Sequence, residues 1–167
     1  MSGLTIVSRE QWGAQAPRTA HTKITGAVTY AFIHHTATPS CTGEASKARV
    51  QSIQNHHMNT NKWDDIGYSF LIDGDGVVFQ GRGWGVVGAH TKGYNSQGYG
   101  IAILGNFATA SPSAEALESA KRLIAAGVSD GYLRSDYKVV GHRDVCSTEC
   151  PGNALYSIIK TWPHFGK

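Results

Sequence analysis

Three short stretches of this 167-residue chain gather side chains able to hold a metal or move a proton. They are Phe32-Ile33-His34-His35-Thr36, Gly141-His142-Arg143-Asp144 and Thr148-Glu149-Cys150-Pro151-Gly152. His142 and Cys150 are eight residues apart on one loop, close enough to reach a common ion. A histidine from a neighbouring strand end would add a third ligand. Successive strand residues face opposite ways, so one of His34 and His35 is expected to look into a given site. Two imidazoles and a thiolate make a tetrahedral zinc site with one position free, the pattern of catalytic rather than structural zinc. Such a site suits the hydrolysis of an unreactive bond, because zinc acidifies water and polarises a carbonyl. A thiol hydrolase using Cys150 with His142 is the competing chemistry, since a cysteine near a helix N-terminus can be acidified. A glycosidase would need two carboxylates flanking its bond, and no acidic pair stands out at the strand ends. His56 and His57 read as ordinary helix residues.

These residues need a scaffold. The apolar, β-branched run at 28–34 suits a strand buried on both faces, and 68–73 and 99–104 read the same way. Asp73-Gly74-Asp75-Gly76 is a turn that returns the chain as a hairpin arm at 77–80, and 137–141 is a short further strand. Helices are predicted over 43–60 (Val50, Ile53, His57 and Met58 at helical spacing), from a Ser113 cap to about 131, and over 152–162. Strands and helices alternate, so the fold class is α/β: a mixed central sheet covered by about three helices, in one compact domain. The domain reads as residues 1–167, with its core at about 7–165.

Composition agrees. The chain is 41% hydrophobic and 16% charged, with mean hydropathy −0.25, as in compact globular proteins. No apolar run reaches the roughly 20 residues of a membrane span. The net charge of +3 comes from scattered lysines and arginines with no basic stripe, which disfavours nucleic acid. Residues 1–10 carry no recognisable signal peptide.

In motif order the chain resembles the peptidoglycan recognition proteins, relatives of phage lysozymes of the amidase type. The blocks are Ser8-Arg9-Glu10-Gln11-Trp12-Gly13-Ala14, Phe32-Ile33-His34-His35-Thr36-Ala37 and Trp63-Asp64-Asp65-Ile66-Gly67-Tyr68-Ser69-Phe70. Gly81-Arg82-Gly83-Trp84, Gly88-Ala89-His90, Gly141-His142-Arg143-Asp144-Val145, Thr148-Glu149-Cys150-Pro151-Gly152 and Trp162-Pro163-His164-Phe165 follow. The resemblance implies a zinc-dependent N-acetylmuramoyl-L-alanine amidase. Such an enzyme cuts the amide between the lactyl group of muramic acid and the L-alanine of the stem peptide, in innate immunity or cell-wall degradation. It matches His34, His142 and Cys150 to the ligands of one Zn2+, and Tyr68 and Thr148 to catalytic positions.

The family also contains members that bind peptidoglycan without cutting it, commonly with the cysteine ligand replaced; this chain keeps Cys150 and Tyr68. For the substrate groove the candidates are His35, Trp63, Arg82, Gly83, Trp84, His90, Tyr94 and Asn95. The resemblance associates an arginine in the stretch of Arg82 with the extra carboxylate of meso-diaminopimelic acid, which a guanidinium can grip with two parallel hydrogen bonds. Trp63 and Trp84 suit either sugar stacking or the core. The expected partner is bacterial peptidoglycan or its muropeptides. The usual family disulfide would pair Cys41 with position 47, here Lys47, and a Cys41–Cys146 bridge would need a Cα separation of about 4.4–6.8 Å. The family implies an extracellular location, whereas the missing disulfide and signal peptide leave a cytoplasmic one open.

Overall fold

The computed structural model describes residues 4–166. One six-stranded sheet runs through it in the order β1-β4-β3-β5-β2-β6. Its strands are β1 (Ile6–Val7), β2 (Val28–His35), β3 (Phe70–Ile72), β4 (Val78–Gln80), β5 (Gly98–Ile103) and β6 (Leu133–Gly141). Four α-helices accompany them: α1 (Arg9–Trp12), α2 (Glu44–Asn55), α3 (Ala114–Ser129) and α4 (Asn153–Ile159). All strand pairs are parallel except the β3–β4 hairpin. The mixed α/β sheet is therefore the one the alternation of elements predicts.

Side-chain alternation along the strands divides the core in two. Ala31, Ile33, Phe70, Ile72, Tyr99, Ile101, Ile103 and Val139 pack against Ala116, Ala120, Leu123 and Ile124 of α3 and Leu155 and Ile159 of α4. The opposite face carries Leu71, Phe79, Ala102 and Leu104 under Val50 and Ile53 of α2 and Trp12 of α1. This second cluster includes no side chain of β2. The face of β2 that bears His34 is thus left to form the floor of a cleft.

Several local features differ from the sequence expectation. β1 and α1 are short elements that periodicity does not reveal, although the reciprocal hydrogen bonds of Ser8 and Gln11 form a capping box at α1. α1 then delivers Trp12, 1% exposed, whose Nε1 donates to the Gln80 carbonyl at 2.9 Å. The helix expected over 43–60 is α2 followed by one wider π-helical turn, His56–Thr60. β6 begins at Leu133, four residues before the expected start at 137, in a polar, edge-strand sequence without the apolar pattern of a core strand. α3 starts as expected: Ser113 Oγ accepts from the Ala116 N–H at 3.1 Å and donates to the Gly74 carbonyl at 2.7 Å.

Candidate active site

β2, β5 and β6 run parallel, with His34 opposite Ala102 and Ile33 opposite Gly141. That register brings the end of β2 beside the residue that precedes His142. A 3₁₀ turn, His142–Asp144, follows directly and starts the loop to Cys150. The loop is braced by its own polar groups. Asp144 accepts from the Gly141 N–H at 2.9 Å and from the Tyr156 hydroxyl at 2.5 Å. The Arg143 N–H donates to the Cys150 carbonyl at 2.9 Å, and its guanidinium donates to the Glu149 carbonyl and, at 2.9 Å, to Asn153 Oδ1. It also lies over the Tyr156 ring at 4.7 Å.

The result is a cleft of about 430 Å³ lined by His34, His35, Tyr68, His142, Thr148 and Cys150 among others. One potential ligand atom from each of His34, His142 and Cys150 lies within 4.8 Å of the other two. His34 Nδ1 is 3.5 Å from Cys150 Sγ, and the His34 and His142 rings are 4.6 Å apart between centroids. For zinc, tetrahedral N and S ligands at the usual bond lengths are separated by roughly 3.5 Å. The donor set and its spacing therefore fit one zinc ion.

The electrostatics point the same way. Burial, then the neighbouring His90, His142 and His35, hold the His34 imidazole well below its ordinary 6.5, and burial alone lowers His142. Both are neutral, the form that ligates. Burial pushes the Cys150 thiol up to about 12, only partly countered by the His35 backbone and Arg143. A thiol so raised is the opposite of an activated nucleophile, which disfavours the thiol hydrolase. A bound divalent cation would instead deprotonate it outright. Tyr68, its ring 5.3 Å from that of His34, is raised by burial and then by Cys150, so its phenol keeps its proton.

The remaining candidates fall into distinct places. His35 lines the cleft together with His34, so both histidines reach it. His35 is the last residue of β2, where the pleat ends, and its Nδ1 accepts from the Phe107 N–H at 3.1 Å. Thr148 lines the cleft while its Oγ1 accepts from the Cys150 N–H at 3.2 Å. Trp63 and His90 also line it. Arg82, Gly83, Trp84, Tyr94 and Asn95 do not belong to its lining. Arg82 donates from Nε to the Ile66 carbonyl at 2.9 Å and from a terminal nitrogen to that of Val87 at 3.1 Å, bracing the segment around Tyr68. Trp84 packs among Phe70, Tyr99 and Tyr132. Tyr94 packs on Tyr30 and Phe32, and Asn95 Oδ1 accepts from the His90 and Thr91 backbone N–H groups.

One lining residue, His57, is not among the sequence candidates for the site. His57 sits on the π-helical turn, its Nδ1 accepting from the Gly67 N–H at 2.8 Å and its ring 4.6 Å from Trp63. Burial, then His56 and Arg82, lower it to about 4. The available signal was a histidine at core spacing with Val50 and Ile53. Cys41, Cys146 and Cys150 are all free thiols, with Cys41 against the α2-side core and Cys146 Sγ 3.6 Å from the Lys92 carbonyl.

Comparison with known proteins identifies the family and the fold. The N-acetylmuramoyl-L-alanine amidase family profile matches residues 24–153. An N-acetylmuramoyl-L-alanine amidase of Mus musculus is 44% identical over 164 residues, covering 96% of this chain but only 31% of that protein. Peptidoglycan-recognition protein SC2 of Drosophila melanogaster is 43% identical over 164 residues, covering 98% of this chain and 89% of the relative. Among solved structures, the ectodomain complex of peptidoglycan recognition proteins LCa and LCx bound to tracheal cytotoxin superposes with a TM-score of 0.96 at 41% identity, covering 98% and 99% of the two chains. Wild-type Drosophila PGRP-LB follows at 0.95 and 41%, covering 98% and 96%. The chain belongs to the N-acetylmuramoyl-L-alanine amidase family, among its peptidoglycan-recognition proteins.

Proposed function

We propose that this protein binds bacterial peptidoglycan and hydrolyses the amide between the lactyl group of N-acetylmuramic acid and L-alanine, using one zinc ion held by His34, His142 and Cys150. The observation that carries the reading is the convergence of those three side chains within 4.8 Å in a cleft. When bound, zinc supplies Lewis acidity, making water nucleophilic near neutral pH and polarising the scissile carbonyl.

The chain's own residues do the rest. The Tyr68 phenol, kept protonated by burial, donates to the oxyanion as charge develops on the amide oxygen. Thr148 accepts from the Cys150 N–H, which leaves its O–H to donate into the cleft. Trp63 offers an aromatic face to the glycan or peptide, and His57 offers an Nε2–H because its Nδ1 is already an acceptor. His35 and His90 also line the proposed groove, while Arg82 and Asn95 support it from behind through the hydrogen bonds described above. Peptidoglycan is an extracellular polymer, and an extracellular setting goes with this reading.

The deciding measurement is mass spectrometry of a muropeptide digest, run with and without a zinc chelator. Free stem peptides with a new N-terminal alanine should form, disappear on chelation and return with added zinc. Products that persist after complete zinc removal would overturn the metal assignment. Saturable binding without any cleavage would favour a purely recognising protein.

A further inference from the structure

Thr91 lies outside every motif that carries the family resemblance, yet it is 0% exposed and joins two histidines of the site. Its Oγ1 is 3.2 Å from His34 Nε2 and 2.8 Å from His90 Nδ1. The other nitrogen of His34, Nδ1, is the one that faces Cys150 Sγ. An imidazole that ligates through Nδ1 must carry its proton on Nε2, and that N–H needs an acceptor because His34 is 1% exposed. Among the described residues, the side-chain oxygen within hydrogen-bonding distance of it is Thr91 Oγ1. A hydroxyl has one proton to give, so Thr91 accepts from His34 and donates to His90.

The surroundings fix this arrangement. Asn95 Oδ1 accepts from the backbone N–H of His90 at 2.9 Å and of Thr91 at 2.8 Å, locking the two residues in place. The His90 ring is accommodated by two glycines: a Cβ at Gly88 or at Gly100 would approach it to 2.4 Å. Asn95, expected from sequence in the groove, acts here one layer behind it.

We infer that Thr91 is a positioning residue for the metal centre, holding His34 in the tautomer and orientation that present Nδ1 to zinc, with His90 and Asn95 orienting its hydroxyl. This rests on the zinc reading proposed above. Partners behind a ligating histidine commonly change metal affinity by about 10–100-fold when removed.

The test measures zinc affinity by competition with a chromogenic chelator on the full chain, independently of turnover. Thr91→Val, which keeps the shape and loses the hydroxyl, should weaken zinc by about 10–100-fold, while Thr91→Ser stays within about threefold of the parent. The visible spectrum of the cobalt-substituted protein should shift for Thr91→Val and not for Thr91→Ser. Thr91→Ala serves as a second hydroxyl-free variant if Thr91→Val does not fold. Parent-like affinity in a folded hydroxyl-free variant overturns the inference, as does equal weakening by Thr91→Ser, which would mark packing as the cause. A parent protein that binds no zinc overturns the underlying reading itself, and is seen before any variant is made.

Discussion

His34 Nδ1 and Cys150 Sγ stand 3.5 Å apart although 116 residues separate them in the chain. Neither is held by local structure alone. His34 is fixed by its place near the end of a strand flanked by β5 and β6, and Cys150 by a loop whose carbonyls are tied to Arg143. A thiol raised by burial beside neutral imidazoles is an arrangement that a divalent cation would relieve.

Zinc uptake should therefore release about one proton per ion near neutral pH, because the Cys150 thiol, raised to about 12, must ionise to ligate. Calorimetry in buffers of different ionisation enthalpy reads this number directly. Cys150→Ser should fold and retain peptidoglycan binding but lose both the proton release and the amidase activity. A Cys150→Ser protein that hydrolyses at the parent rate would exclude the cysteine as a ligand.

Tyr68→Phe removes a hydroxyl from a ring that otherwise keeps its packing near His34. Loss of one oxyanion donor typically costs about 10²–10³ in kcat. We expect that loss with little change in KM or in zinc content, read by steady-state kinetics and metal analysis. A change confined to KM would assign Tyr68 to substrate binding instead.

Arg82→Ala should weaken binding of diaminopimelate-type muropeptides more than of lysine-type ones, measured as paired dissociation constants. Two hydrogen bonds to the Ile66 and Val87 carbonyls are lost as well. A thermal melt should therefore show destabilisation, of the order of 1–3 kcal/mol for partly buried bonds to a charged group. Equal weakening on both stem types would confine Arg82 to that bracing role.

The metal-free protein should lose stability as pH falls below about 6.5. His57, lowered to about 4, stays neutral when folded, whereas in the unfolded chain it protonates near its ordinary 6.5. Between those values the unfolded state binds the extra proton, so the stability present above 6.5 declines by about 1.4 kcal/mol per pH unit for this group. His90, lowered to about 3 by burial and then by His142 and Arg82, adds to the same trend. Urea midpoints from pH 7 to 5 test it. His57→Gln, whose amide oxygen can accept the same Gly67 N–H, should give a slope shallower by about one proton. An unchanged slope would remove His57 as a contributor.

Much of this protein was legible in the sequence. The apolar runs of β2, β3 and β5 announce buried strands because a strand covered on both faces has no polar alternation to preserve. The Ser113 cap and the stripe through Ala120 and Leu123 mark α3 for equally local reasons. The pairing of His142 and Cys150 on one loop was readable from type and spacing, which left His34 and His35 open; the family resemblance singled out His34. Elements too short to show a period, β1 and α1, left only a capping box as their trace.

Which atoms meet was decided by tertiary structure. Strand pairing set His34 opposite Ala102 and brought the end of β2 to the loop bearing His142 and Cys150. The end of the pleat admitted His35 beside His34, and the π-helical turn after α2 carried His57 into the cleft. Packing consigned Trp84 to an aromatic cluster and recruited Thr91 between two histidines. A sequence fixes the donors and the local periodicity, because those are properties of residues and near neighbours. Long-range register and burial belong to the whole fold, and they select which donors share a site.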